Sequence, residues 1–386
     1  MRYIKLSVSL LISVIGLVVY FITIPEINEE EFVQLTVQAG EEAILDNYSF
    51  NGYIFDYGSF QRTSEDVFAP ENLPFLEKLD STDNMETMVL KEAYPDFVNP
   101  LIYNANMNSY LISSGEEYLT SAHIDYQTNT YDQSYSKLYL RTFNKESKQF
   151  EEDIVDRAEK SNVSYTDIIG LYENYPEVTV LLNTRIPDNT DSYKETGELS
   201  ILSYNFETKN MTEEVIFESE GYIEPTQYMP VINNQTLVLL NVYDPETGVG
   251  LNYLLDYTQD ELIQLTSGET ANFISDDNRL YSLDGATLIE YDKTGQEKLT
   301  EVALSTDNAE ISHNDIEMPS ILDGKLFLIK NNEMVLESPQ SDIKPSNLVV
   351  YDIATGEVLL EAHFNYDGTK QVNATEAYVY QVNKQH

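Results

Sequence analysis

A chain of 386 residues carries 22 Lys and Arg against 66 Asp and Glu, a formal net charge of −44. It lacks the basic footprint that nucleic acid requires, and anionic lipid headgroups repel it. The absence of Cys excludes disulfides, thiolate metal sites and thiol nucleophiles, while 42% hydrophobic residues suffice for one large all-β domain or two average ones.

Residues 6 to 24, LSVSLLISVIGLVVYFITI, contain no charge. As a helix they span about 28 Å, close to the hydrocarbon core of a bilayer. Arg2 and Lys5 precede the run, and Glu26, Glu29, Glu30 and Glu31 follow it. The positive-inside rule then predicts a cytoplasmic N-terminus, a single pass and an extracellular C-terminal domain. The alternative is a cleaved signal peptide. Against it, the run is longer than a usual apolar region, and bulky VVYFITIP stands where small cleavage-site residues are expected. The expected organisation is a tip and membrane anchor over 1–24, an acidic stalk over 25–49, and a β-propeller over 50–386.

The stalk, IPEINEEEFVQLTVQAGEEAILDNY, is acidic and mildly amphipathic. A short helical insertion is expected near 71–93, where Leu73, Leu76 and Leu79 stand near helical spacing. Pro74 and the polar break at Ser81, Thr82 and Asp83 restrict it to short pieces.

From about residue 100 the pattern becomes short strands with polar turns. The clearest are KLYLRTF (137–143), VTVLLNT (178–184), LSILSYNF (199–206), TLVLLNVY (236–243) and LNYLLDY (251–257). RLYSLDG (279–285), TLIEYD (287–292), KLFLIKN (325–331), LVVYDI (348–353) and AYVYQV (377–382) follow. They are rich in Val, Ile, Leu and Tyr and end in Asp, Asn, Gly or Thr, the strand and hairpin signal. No long helix separates them, which argues against a parallel βαβ architecture.

A repeat runs through these strands. An apolar strand is followed by one ending in an aromatic and Asp, then by a turn and a third strand. TLIEYDKTG and LVVYDIATG show it best, and LSILSYNFETKN and LYLRTFNKESKQ are degraded copies. Phe143, Tyr204, Tyr291 and Tyr351 are the matching aromatics. Antiparallel units of about 35 to 60 residues are propeller blades. The expected fold class is therefore an all-β propeller, with six blades favoured and five to eight compatible. AYVYQV begins a sixth unit that lacks its outer strands. GYIFDYGSFQRTSE (52–65) is expected to supply them, closing the ring from both ends and leaving no open sheet edge between blades.

In the turn Asp352-x-x-Thr355-Gly356, the Asp side chain is expected to accept hydrogen bonds from turn amides, with Gly at positive φ. YDPETG (243–248) and YDKTG (291–295) are variants. The segment LVVYDIATGEVLLE (348–361) resembles the repeat of quinoprotein-like, pyrroloquinoline-quinone-type β-propellers. That repeat has Trp where this chain has Leu360. The resemblance implies propeller architecture and a non-enzymatic relative, since ligands for the quinone and its metal are not found.

The segment TDNAEISHNDIE (306–317) gathers Asp307, Glu310, His313, Asp315 and Glu317. Carboxylates and imidazole suit Ca²⁺ or a transition metal, so Asp307, His313, Asp315 and Glu317 are the candidate metal ligands. The ordered Asp-x-Asp-x-Asp-Gly loop is missing, and a solvated loop is the plainer reading. His123, His363 and the terminal His386 join no motif. The chain holds no nucleophile elbow, His-Glu-x-x-His, P-loop or dinucleotide fingerprint.

The expected function is a membrane-anchored extracytoplasmic binding module, accessory or sensory, of a bacterial envelope. A propeller face engages a protein, peptide or ligand, with no catalytic residues and no cofactor assigned. The acid excess favours cations, cationic peptides or basic protein faces, although solubility alone also accounts for it. The alternative is an extracytoplasmic hydrolase or lyase using carboxylates at the axial mouth.

Overall fold

The computed structural model describes residues 33–54, 58–64, 66–68, 90, 94–98, 110–115, 117–127, 135–156, 165–187, 195–220, 222–225, 237–243, 250–256, 261–265, 273–276, 279–305, 316–331, 345–366 and 377–384. The apolar run 6–24 lies outside them. Among the described residues no helix is long and apolar enough to cross a membrane.

The chain starts with β1 (Gln34–Gly40), a 3-10 turn (Glu42–Leu45), β2 (Tyr48–Ile54), β3 (Gly58–Arg62) and β4 (Val67–Phe68). The first blade follows: β5 (Tyr110–Ser114), β6 (Tyr118–Gln127), β7 (Tyr135–Asn144) and β8 (Phe150–Asp156). The second is β9 (Tyr165–Asn174), β10 (Glu177–Pro187), β11 (Glu195–Asn205) and β12 (Asn210–Ser219). The third is β13 (Tyr222–Pro225), β14 (Leu237–Tyr243), β15 (Gly250–Asp256) and β16 (Glu261–Gln264). The fourth is β17 (Phe273–Ser275), β18 (Leu280–Asp284), β19 (Thr287–Tyr291) and β20 (Lys298–Ala303). The fifth is β21 (Ile316–Leu322), β22 (Lys325–Lys330), β23 (Ser346–Asp352) and β24 (Val358–Asn365). Last comes β25 (Ala377–Lys384), which pairs with β2 and so with β3 and β4. The result is a six-bladed all-β propeller whose sixth blade joins the two ends of the chain.

The expected closure is present. Tyr48 to Ile54 run antiparallel to Lys384 to Ala377, and Phe50 to Ile54 pair onward with Arg62 to Gly58. The apolar face of this blade packs on the fifth. Phe50 meets Phe364 edge-on at 5.2 Å, and Tyr48 meets Phe327 at 4.7 Å. At its margin, Tyr48 Oη donates to Asp323 Oδ2 (3.1 Å) and Lys384 Nζ donates to Asp323 Oδ1 (2.8 Å).

Residues 34 to 49, expected within an acidic stalk, are part of the propeller. β1 adds a fifth strand to the edge of the fifth blade, from Gln34 beside Asn365 to Gly40 beside Leu360. Leu35 and Val37 pack against the core while Gln34, Thr36 and Gln38 stay exposed. That is the period-two pattern of a half-buried strand, not a helix. Residues 25–32 lie outside the described residues. So does most of the helical stretch expected near 71–93, where only Leu90 is described and is helical. A further helical turn covers residues 95–98, with Pro95 at its first position, where no amide hydrogen is needed.

The repeat read from the sequence corresponds to the second, third and fourth strands of each blade. The innermost strands β5, β9, β13, β17 and β21 were not among the strands read from it. Three of the four matching aromatics are buried at the end of the third strand: Phe143, Tyr204 and Tyr351.

Candidate functional site

Asp307, His313 and Asp315 lie outside the described residues. Glu317 is in β21, and its side chain lies outside them. Among the described residues no group of three or more His, Asp or Glu is placed to hold a metal ion.

The repeated Asp turns bind their own backbone. Asp352 Oδ1 accepts from the amides of Ala354 (2.8 Å) and Thr355 (2.9 Å), and Gly356 has φ +73°. Asp292 Oδ1 accepts from Gln296 and Glu297 (both 3.0 Å), and its Oδ2 from Thr294 Oγ1 (2.6 Å). These bonds hold both carboxyls below the ordinary range: for Asp292 the Thr294 hydroxyl first, for Asp352 the Thr355 and Ala354 amides. The degraded copies use Asn. Asn144 Oδ1 accepts from Glu146 (3.1 Å) and Ser147 (2.7 Å), and Asn205 Oδ1 from Glu207 (3.1 Å) and Thr208 (2.9 Å). Lys148 and Lys209 take the left-handed position that Gly fills elsewhere. The carboxylates of Asp292 and Asp352 are thus occupied by turn geometry. The YDPETG turn lies mostly outside the described residues.

The two ends of each blade differ. First-to-second and third-to-fourth strand links are mostly tight, as at Ser114–Tyr118, Asn174–Glu177, Leu322–Lys325 and the four Asx turns. Second-to-third links and blade-to-blade crossings are mostly longer, as between Lys330 and Ser346, Asn365 and Ala377, and Phe68 and Tyr110. The exceptions are the long link from Pro225 to Leu237 and the tight ones from Ile54 to Gly58, Ser219 to Tyr222 and Asp284 to Thr287.

The outward face of the sixth blade is polar. On the face of the sixth blade turned away from the fifth, Gln381, Asn51 and Gln61 stand opposite one another on three adjacent strands. Asn51 Nδ2 donates to Gln381 Oε1 (3.3 Å), and Gln61 Nε2 donates to Asn51 Oδ1 (3.1 Å) and Ser49 Oγ (3.4 Å). All four are buried. A β-bulge in β25 opposite Asn51 and Gly52 puts Gln381 on this face rather than in the apolar one.

On its face turned away from the second blade, the first blade carries Ser121, His123, Tyr139, Arg141 and Glu152. Register pairs Ser121 with Arg141, His123 with Tyr139 and Arg141 with Glu152. The His123 and Tyr139 rings stack at 4.6 Å. Arg141 forms an ion pair with Glu152, and its Nη1 donates to the Phe97 carbonyl (3.5 Å). Ser121 Oγ, His123 Nδ1 and Arg141 Nε are buried without a partner. Burial first, and the Arg141 cation second, push the His123 imidazole down to about 4, so it is neutral near pH 7. Leu90, Tyr94, Phe97 and Val98 pack on Ile112, Leu119 and Phe143 of this face.

This patch was not read from the sequence. In YLTSAHIDYQ both faces of β6 are buried, from Leu119 through Ile124, so the polar face is not the solvent face that alternation ordinarily marks. The one available signal was polar side chains at alternate positions, Ser121 and His123 on β6, facing Tyr139 and Arg141 on β7. The arrangement offers hydrogen-bond donors, acceptors and aromatic faces.

No family model matches the chain, and no curated protein matches it. Solved propeller proteins are among its structural neighbours. The β-propeller domain of the Trilobed protease from Pyrococcus furiosus is 12% identical over 65% of this chain and 83% of that one, with a TM-score of 0.27. The acylaminoacyl peptidase of Pyrococcus horikoshii is 13% identical over 66% of this chain, with a TM-score of 0.26, and the match spans only 45% of the peptidase. The WD40 domain of SCAP from fission yeast is 12% identical over 93% and 78% of the two chains, with a TM-score of 0.31. Identities and TM-scores this low say nothing about activity.

Proposed function

We propose that the chain is a membrane-anchored extracytoplasmic binding module, accessory or sensory, that engages a protein or peptide through one face of its propeller. The carrying observation is the division between strand ends: mostly tight hairpins, four of them braced by Asx turns, at one, and mostly longer connections at the other. A rigid scaffold presenting variable loops is how folds of this kind bind partners. The apolar run 6–24, with Arg2 and Lys5 before it, supports the anchor. The net charge of −44 favours a partner with a basic face. The likeness of residues 348–361 to quinoprotein-type repeats belongs to the same reading, as a propeller kept for binding.

Two experiments test this. Protease added to protoplasts should digest the chain beyond about residue 25, by the positive-inside argument. A protected C-terminal domain would overturn the external placement. Separately, replacing residues 332–344 with a short Gly-Ser turn should abolish cross-linking to the membrane partner and leave the melting temperature unchanged. Replacing the Asn205 turn should leave cross-linking intact. Loss of the partner with the second change and not the first would overturn the choice of face.

A further inference from the structure

The chain adds one of its own strands to a blade edge. The fifth blade ends at β24, and β1 pairs beyond it, from Gln34 beside Asn365 to Gly40 beside Leu360. β24, VLLEAHFN, carries one acid, Glu361. Leu35 and Val37 of β1 pack on the core beneath it. A largely apolar edge of this kind invites pairing, and here it is covered.

The second blade ends differently. Its outermost strand is β12, and among the described residues no strand adds beyond it. β12 is ten residues long, against seven for β8, six for β20 and four for β16. Six of the ten are exposed, Met211 and Val215 among them. The strand NMTEEVIFES has no Lys or Arg and three carboxylates, Glu213, Glu214 and Glu218.

The other acidic outer strand, β8, has its carboxylates engaged. Glu152 pairs with Arg141, and Lys209 Nζ reaches Asp153 (2.7 Å) and Glu151 (3.7 Å). Lys209 immediately precedes β12, so its cation is drawn away toward the first blade. Glu214 and Glu218 stay exposed, and among the described residues no Lys or Arg pairs with them.

We propose that β12 takes an extended, cationic segment of a partner protein by strand addition. Main-chain hydrogen bonds along the edge supply affinity, and alternate side chains choose the partner. Residues laid opposite Glu214 and Glu218 are attracted as Lys or Arg and repelled as Asp or Glu. Apolar side chains beside Met211 and Val215 remove exposed surface from water. The net charge of −44 draws a cationic segment in from a distance. The same carboxylates repel a second copy of β12, so self-pairing is disfavoured. The site is on the rim, beyond the long connections, and stands whether or not the chain is anchored.

The probe is a fluorescent peptide of alternating Lys and Val, about ten residues long to match β12, added to the full chain in detergent. Its anisotropy should saturate, and it should slow hydrogen exchange in β12 and not in β20. Glu214→Lys with Glu218→Lys should weaken binding about tenfold, by turning two attractive cross-strand pairs repulsive. Glu146→Lys with Glu357→Lys alters the same charge at exposed positions of two Asx turns. That pair should change affinity by no more than about twofold, as a screened surface effect. Equal weakening by both pairs, protection spread over all blades, or a peptide that does not bind would each overturn the proposal.

Discussion

The two faces of the sixth blade are built differently. Toward the fifth it presents Phe50, Phe60, Val379 and Val382, all buried among Phe327, Leu348, Val350 and Phe364. On the opposite face it carries Ser49, Asn51, Gln61 and Gln381, all buried. The same strands supply both faces, because successive side chains of a strand point to opposite sides. Hydrogen bonds between strands from the two chain ends close the ring.

The largest expected effect removes the closure. A chain beginning near residue 100 lacks β2, β3 and β4, leaving β25 without its pairing strand. It should aggregate or lose cooperative unfolding, whereas one beginning at residue 33 should melt as a β-rich unit. Circular dichroism with thermal melting distinguishes them, and equal stability would break the comparison. Next come single substitutions on the two faces. Phe364→Ala should destabilise by about 3–5 kcal/mol through its cavity. Gln61→Ala should cost about 1 kcal/mol, the net worth of its hydrogen bonds. Denaturant titration measures both, and similar costs would show that the faces are energetically alike.

Acid should act on two groups, His123 of the first blade and Asp323 of the fifth, in different windows. His123 is held neutral in the fold, with its imidazole pushed down to about 4 from the usual 6.5. Its contribution is complete above about pH 6.5 and is lost as the pH falls toward 4. His123→Leu should flatten that slope. For Asp323, burial opposes ionisation, but bonds from Lys384 and Tyr48 prevail and hold its carboxyl below the ordinary range. Its contribution is present above about pH 4 and disappears below it. Asp323→Asn should therefore change stability only at neutral pH and converge with the parent chain in acid. Melting temperatures across pH 3 to 8, a range set by the reference pKa values, test both. The smallest expected effect is in the turns: Asn205→Ala should cost about 1 kcal/mol and Asn205→Asp almost nothing, since either Oδ1 can accept the turn amides.

The sequence made the outer three strands of most blades legible because one repeat element recurs in them. TLIEYDKTG and LVVYDIATG carry the aromatic, the Asx acceptor and the left-handed Gly in order. Closure by residues 52–65 was legible for a related reason: AYVYQV lacked partners, and a stranded hairpin stood at the other end of the chain. Two of the inner strands were not, since FIS and YIEP are too short to show a period. β1 was hidden by its surroundings. QLTVQ alternates, but it sits among EINEEE and AGEE, whose acidity suggested a solvated stalk. The buried polar faces were unreadable for another reason. Gln61, Gln381 and His123 resemble any exposed strand residue until the pairing register shows which face they share.

Hydrogen exchange on the full chain tests the central claim most directly. If the ring is shut inside the sixth blade, amides of β2 and β25 should exchange only with global unfolding, as slowly as those of β23 and β24. Early exchange of β25, ahead of β23 and β24, would contradict closure by the two chain ends.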